Sequence, residues 1–109
     1  KQSYGATRYL SPAKAVQPIV DMLRKEQKCD FIVCQSHLGW AEGEDYAIGL
    51  VRRTHGIDVL LGGHTHFLFD RPRYVKNSKG QEIPCNQMGK HGRFVGTLEF
   101  VLEPCPYSK

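Results

Sequence analysis

Of the five histidines in this 109-residue chain, three stand directly behind short apolar runs. His37 follows "FIVCQS", and His64 and His66 close the segment "GIDVLLGGHTH" over residues 56–66. Neutral imidazole is the commonest metal ligand and a general acid or base near neutral pH. If the backbone at His64, Thr65 and His66 is extended, both imidazoles project to one side, their Cα atoms about 6–7 Å apart. Such a pair could serve one metal ion, or two ions about 3.5–4 Å apart with one imidazole each. Gly62 and Gly63 carry no side chain, so the backbone there can approach an ion or an anion closely. Taken singly, His64 reads as an ordinary half-buried histidine and the glycine pair as a tight turn. His37, leaving a second apolar run in the same way, is what groups the three as candidate ligands.

His55 and His91 lack that setting. His55 reads as a cation at a helix C-terminus, where the dipole favours it, and His91 as an exposed turn residue. Two metal ions usually share a carboxylate that holds them apart. The acidic residues nearest the histidines are Glu42, Glu44, Asp45, Asp58 and Asp70. Asp58 falls at the start of its apolar run, the end away from the histidines. Glu42, Glu44 and Asp45 read as a solvated loop and helix start. None is placed to bridge, so catalytic residues are not identified.

The elements that carry these residues follow from local pattern. Ser11-Pro12 reads as a helix start, with serine as N-cap and proline at the first helical position. Val16, Ile19, Val20 and Leu23 then recur at helical spacing as one apolar face. Pro18 implies a kink or a true start near Gln17, and the helix should stop before Cys29. Residues 30–35, "DFIVCQ", read as a buried strand. A second helix follows, with Tyr46, Ile48, Leu50 and Val51 as its apolar members and Gly56 as C-cap. Residues 57–61, "IDVLL", read as a second buried strand.

Helix, strand, helix and strand in close succession imply parallel strands with a helical crossover. In such sheets ligands gather at the carboxyl ends of the strands, where both histidine loops would lie. Beyond Phe67, "NSKGQ" separates two extended runs, residues 73–75 and 82–85, as a hairpin would. Residues 92–102 alternate in character and read as a long antiparallel strand. An α/β part over residues 11–66 and a β-rich part over residues 67–103 result.

Composition sets the limits. Hydrophobic residues at 40% and charged residues at 24% are ordinary globular values. The net charge of +4 suits an anionic ester and is too small to imply nucleic acid. A nucleic-acid module would also need interleaved aromatic and basic stripes, which are missing. No segment has the roughly 18 apolar residues of a membrane span. Starting at Lys1 without methionine, the chain reads as a processed product or a fragment. Cys29, Cys34, Cys85 and Cys105 form no CxxC pair; the first two read as buried thiols.

In order, "FIVCQSHLGW", "GIDVLLGGHTH" and "QMGKHGRFVGTLEF" resemble the calcineurin-like metallophosphoesterases, and among them the 5′-nucleotidase and UDP-sugar hydrolase branch. The resemblance runs from about Ser11 to Leu102 and implies a four-layer α/β/β/α sandwich of which this chain is half. It implies two divalent ions, zinc, manganese or iron, and hydrolysis of phosphate esters, nucleotides among them, by metal-activated water. Carried over, His37 and His64 would hold one ion and His66 the other. The family's Asp-x-His and Gly-Asn-His elements have no counterpart here, so only the carboxyl-terminal half of the catalytic domain is matched. Weak metal binding, no turnover by this chain alone and an exposed sheet face open to dimerisation are the expectations. The branch is commonly exported, to the periplasm or beyond the cell, with a cytoplasmic setting as the alternative; export would permit a Cys85–Cys105 bridge.

Overall fold

The computed structural model describes residues 10–104. Its elements run α1 (Pro12–Lys25), β1 (Val33–Gln35), α2 (Ala47–Arg52), β2 (Val59–Leu61), β3 (Arg73–Lys76) and β4 (Glu82–Asn86). The strands form one sheet in the order β1-β2-β4-β3. β1 and β2 are parallel, with Val33, Cys34 and Gln35 opposite Val59, Leu60 and Leu61. Helix α2 lies between them in sequence, so the crossover expected from the pattern is present. β3 and β4 form the expected hairpin. Asn77 closes its turn, its Oδ1 accepting from the backbone N–H of Lys79 and of Gln81. β4 also pairs parallel to β2, a union the sequence pattern did not indicate.

Helix α1 begins at Pro12 and continues through Pro18. Ser11 occupies the N-cap position but makes no side-chain capping bond. Of the expected apolar face, Val20 is buried whereas Ile19 is 54% exposed. The second helix is capped by Arg53, not Gly56. Gly56 instead lets the chain pass close to α1. Its φ is +95°, and a Cβ there would stand 2.7 Å from Val20 Cγ1.

The core lies between the helices and one face of the sheet, with Leu50, Val51, Leu60, Val75, Ile83 and Cys85 at its centre. A second cluster joins Val20, Ile32 and Ile57. Cys85 is fully buried, and desolvation pushes its thiol up to about 12, with Cys34 adding to the shift. It is a free thiol, as are Cys29 and Cys34, which are half-buried, short of the full burial expected of them. Cys105, the second half of a Cys85 bridge, lies outside the described residues.

Two further expectations need correction. β1 was expected to be buried, yet Val33 is 49% exposed, because helices cover only the other face. Residues 92–102 form no strand. They cross the open face and keep their alternation: Phe100 meets Phe31 at 4.8 Å between ring centroids, while Val95 and Val101 are 92% and 82% exposed. Among the described residues no strand lies beside this segment to bond its backbone, and a period-2 pattern without a ladder is not a strand. Between segment and sheet is an apolar cavity of about 410 Å³ lined by Phe31, Val33, Val59, Leu61, Leu98 and Phe100, with others.

Candidate metal centre

The two histidine loops emerge side by side because β1 and β2 are adjacent and parallel. Ser36 N–H continues the pairing one residue past β1, donating to Leu61 O at 2.8 Å. The His37 and His64 imidazoles then meet edge to face, with ring centroids 5.0 Å apart and planes at 71°. Both side chains are exposed, as is His66. Beside them is an open cavity of about 340 Å³ lined by Gln35, Ser36, His37, Leu61, Gly62 and Gly63.

The backbone that presents His64 and His66 is not extended. φ is +77° at His64 and +62° at His66. Side chains rarely adopt such values, which cost on the order of 1–3 kcal/mol each. The same-side projection of an extended backbone therefore does not apply to this loop. His64 is paired with His37, and His66 meets neither ring in a stacking contact.

The two glycines make room for side chains. A Cβ on Gly63 would stand 3.0 Å from His37 Nδ1, and one on Gly62 would stand 3.2 Å from the Gln87 carboxamide. Gly39, at φ +97°, lets the loops pack: a Cβ there would come within 3.1 Å of Thr65 Cγ2 and 3.3 Å of His64 Cδ2.

Gln87 is the residue that pattern reading passed over. It is 3% exposed and lies where the chain, having passed the histidines, folds back on β4: Phe69 N–H donates to Gln87 O and Gly89 N–H to Phe67 O. Three donors converge on one atom of its side chain, which identifies that atom as the amide oxygen. They are Phe67 N–H at 2.9 Å, His66 N–H at 3.0 Å and Thr65 Oγ1–H at 3.2 Å. Thr65 Oγ1 in turn accepts from Trp40 N–H at 3.0 Å, linking the two histidine loops. The available signal was Gln87 at the head of "QMGKHG", directly after β4.

The acidic residues stand elsewhere. Asp58 Oδ2 lies 2.6 Å from Arg24 Nη2 and accepts from Ile32 N–H at 2.7 Å, at the entry end of β2. Glu42 pairs with Arg52 at 3.0 Å on the surface. Among the described residues no three His, Cys, Asp or Glu side chains gather to hold a metal ion. Two imidazole donors side by side suit zinc, copper, iron or nickel, and an ion there would draw its other ligands from outside this cluster.

Comparison with known proteins bears on that incompleteness. No family model matches the chain. The solved structure of a 5′-nucleotidase precursor from Thermus thermophilus aligns with a TM-score of 0.61 and 34% identity, over 76% of this chain and 18% of that one. The chain is thus similar to part of a 5′-nucleotidase. It is 27% identical over 90 residues to the trifunctional nucleotide phosphoesterase protein YfkN of Bacillus subtilis, covering 83% of this chain and 6% of that protein. It is 28% identical over 85 residues to the snake venom 5′-nucleotidase of Gloydius brevicauda, covering 66% and 14% respectively. The mixed α/β fold around a four-stranded sheet is thus like that of a 5′-nucleotidase, and the chain spans less than a fifth of each of these proteins.

Proposed function

We propose that this chain is the carboxyl-terminal part of a metal-dependent phosphoesterase catalytic domain acting on nucleotides or similar phosphate esters. Residues 11–66 bring the histidine loops and residues 67–103 the β-rich support, together half of a four-layer sandwich. The observation that carries the reading is the edge-to-face pairing of His37 and His64 at the exit ends of adjacent parallel strands. Relatives that are nucleotide phosphoesterases by name support the substrate class.

His37 and His64 would supply imidazole nitrogens to one ion, and His66 to a second. Such ions, when bound, activate water and offset charge on phosphorus oxygens. The net charge of +4 favours approach of an anionic ester. Among the described residues no carboxylate joins the histidines, so we assign turnover to the domain completed by its other half. Export accords with a venom enzyme and a precursor among the relatives. Among the described residues no helix is long and apolar enough to cross a membrane.

The open sheet face favours a second reading, a non-catalytic metal-binding module that dimerises through Val33, Leu61 and the 92–102 segment. One experiment separates the two. Metal content and hydrolysis of a chromogenic phosphate ester are measured on the full chain and on His64→Ala, with oligomeric state followed by gel filtration at several added metals. Metal bound only when His64 is present, without turnover, is expected. Turnover lost in His64→Ala would overturn the assignment of activity to a completed domain. Metal-dependent dimers without turnover would favour the second reading, and absence of metal from the wild type would overturn both.

A further inference from the structure

We propose that Gln87 is the positioning residue of the histidine loop: its buried carboxamide fixes the conformation from which His64 and His66 are offered to metal. The inference rests on the metal-centre reading for its purpose, but its geometry stands independently. A short loop with positive φ at two histidines needs something to hold it there, since the local backbone favours neither value. Gln87 supplies that hold through one oxygen. It accepts from the backbone N–H of His66 and of Phe67 and from the hydroxyl of Thr65, at 2.9–3.2 Å.

Each neighbour of Gln87 makes sense in this role. Gly62 leaves room for the carboxamide, since a Cβ would press to 3.2 Å against it. Asn86 fixes the backbone on either side, its Oδ1 accepting from Gln87 N–H at 2.9 Å and its carbonyl from Gly62 N–H at 2.8 Å. Thr65 passes the constraint on to the other loop through Trp40 N–H. Gln87 thus reaches the His64–His66 loop directly and the His37 loop through one hydroxyl. Only 3% exposed, and with its side-chain oxygen taken up by these three donors, it acts through the histidines.

Chemistry gives a discriminating pair of variants. Gln87→Glu keeps a side-chain oxygen to accept from the loop, whereas Gln87→Met keeps the length and loses the acceptor. Two measurements are made on the full chain, with Zn²⁺ alone as the probe ligand. Amide hydrogen exchange at His66 and Phe67 reads the positioning bonds without metal. Calorimetric Zn²⁺ titration, with His64→Ala as reference, reads their consequence.

In Gln87→Met, exchange at His66 and Phe67 should accelerate at least about tenfold while amides of β2 and β4 keep their rates. Zn²⁺ affinity should fall by about 10–100-fold, the scale on which groups orienting a ligand act. Gln87→Glu should recover most of both. Should Gln87→Met fail to fold, Thr65→Val removes one of the three donors and Gln87→Glu still tests the acceptor; Thr65→Val should then speed the same two amides. Unchanged exchange and unchanged Zn²⁺ affinity in Gln87→Met would overturn the proposal. If the wild type takes up no Zn²⁺ yet Gln87→Met loses the two protected amides, the metal reading fails and Gln87's hold on the loop stands.

Discussion

The two ends of the parallel pair β1–β2 are built on opposite principles. At the entry end, Arg24 satisfies everything around it. Its guanidinium donates to Gly56 O at 2.7 and 3.2 Å, to Cys29 O at 3.3 Å and to Asp30 O at 3.1 Å, and pairs with Asp58 at 2.6 Å. Charge there is balanced. The turn into β2 takes its positive φ at Gly56, and the turn into β1 takes one at Lys28, φ +59°. At the exit end, φ is positive at two histidines of a single loop, and imidazoles face each other without a carboxylate among them. Two positive φ values on neighbouring histidines of one loop accord with the metal-binding role proposed for the exit end.

That contrast is tested most strongly at the entry end. Arg24→Ala removes the guanidinium donor from the carbonyls of Gly56, Cys29 and Asp30 and the ion-pair partner from Asp58, which keeps its bond from Ile32 N–H. A loss of about 1–3 kcal/mol is expected, as for partly buried polar groups left unsatisfied. Urea unfolding should register it, while Zn²⁺ binding at the far end stays near the wild-type value. Loss of both would mean that the two ends are one structural unit.

The exit end should answer with the opposite sign. His66→Gly relieves a positive φ worth on the order of 1–3 kcal/mol, against about 0.5–1 kcal/mol for the greater freedom of glycine in the unfolded chain. A net stabilisation of about 1 kcal/mol is expected in the same urea experiment, together with weakened metal binding. A destabilised His66→Gly would show that the imidazole contributes packing that outweighs the strain.

The elements were more legible in the sequence than the contacts at either end of the parallel pair. The helix begun at Ser11-Pro12 and the hairpin around "NSKGQ" were readable because each is set by residues close together in the chain, and the parallel pair because helix and strand alternating with short connections imply a crossover. That His37 and His64 meet followed from the parallel arrangement. The positive φ at His64 and His66 was not readable, because the bonds that hold it come from Gln87, about twenty residues on, through the unforeseen union of β2 with β4. The 92–102 segment failed differently. Alternation says which side chains share a face, and here Gly96, Leu98 and Phe100 do line the cavity against the sheet. It does not say whether a neighbouring strand exists to bond the backbone, and the described residues hold none.

The smallest expected effect is the most diagnostic. In Gly63→Ala, the added methyl would stand 3.0 Å from His37 Nδ1, and φ at Gly63 is not among the positive values. Alanine therefore meets no backbone obstacle, and His37 is exposed and free to swing aside. Stability should stay within about 0.5 kcal/mol of wild type, as for surface substitutions in general. Swinging aside moves the His37 ring from its place beside His64, so Zn²⁺ affinity should drop about tenfold. A substitution that leaves the fold alone and weakens binding isolates the geometry of the His37–His64 pair from the stability of the sheet beneath it. If affinity is unchanged as well, the pairing of the two rings is incidental to metal binding, and His64 and His66 alone would have to carry it.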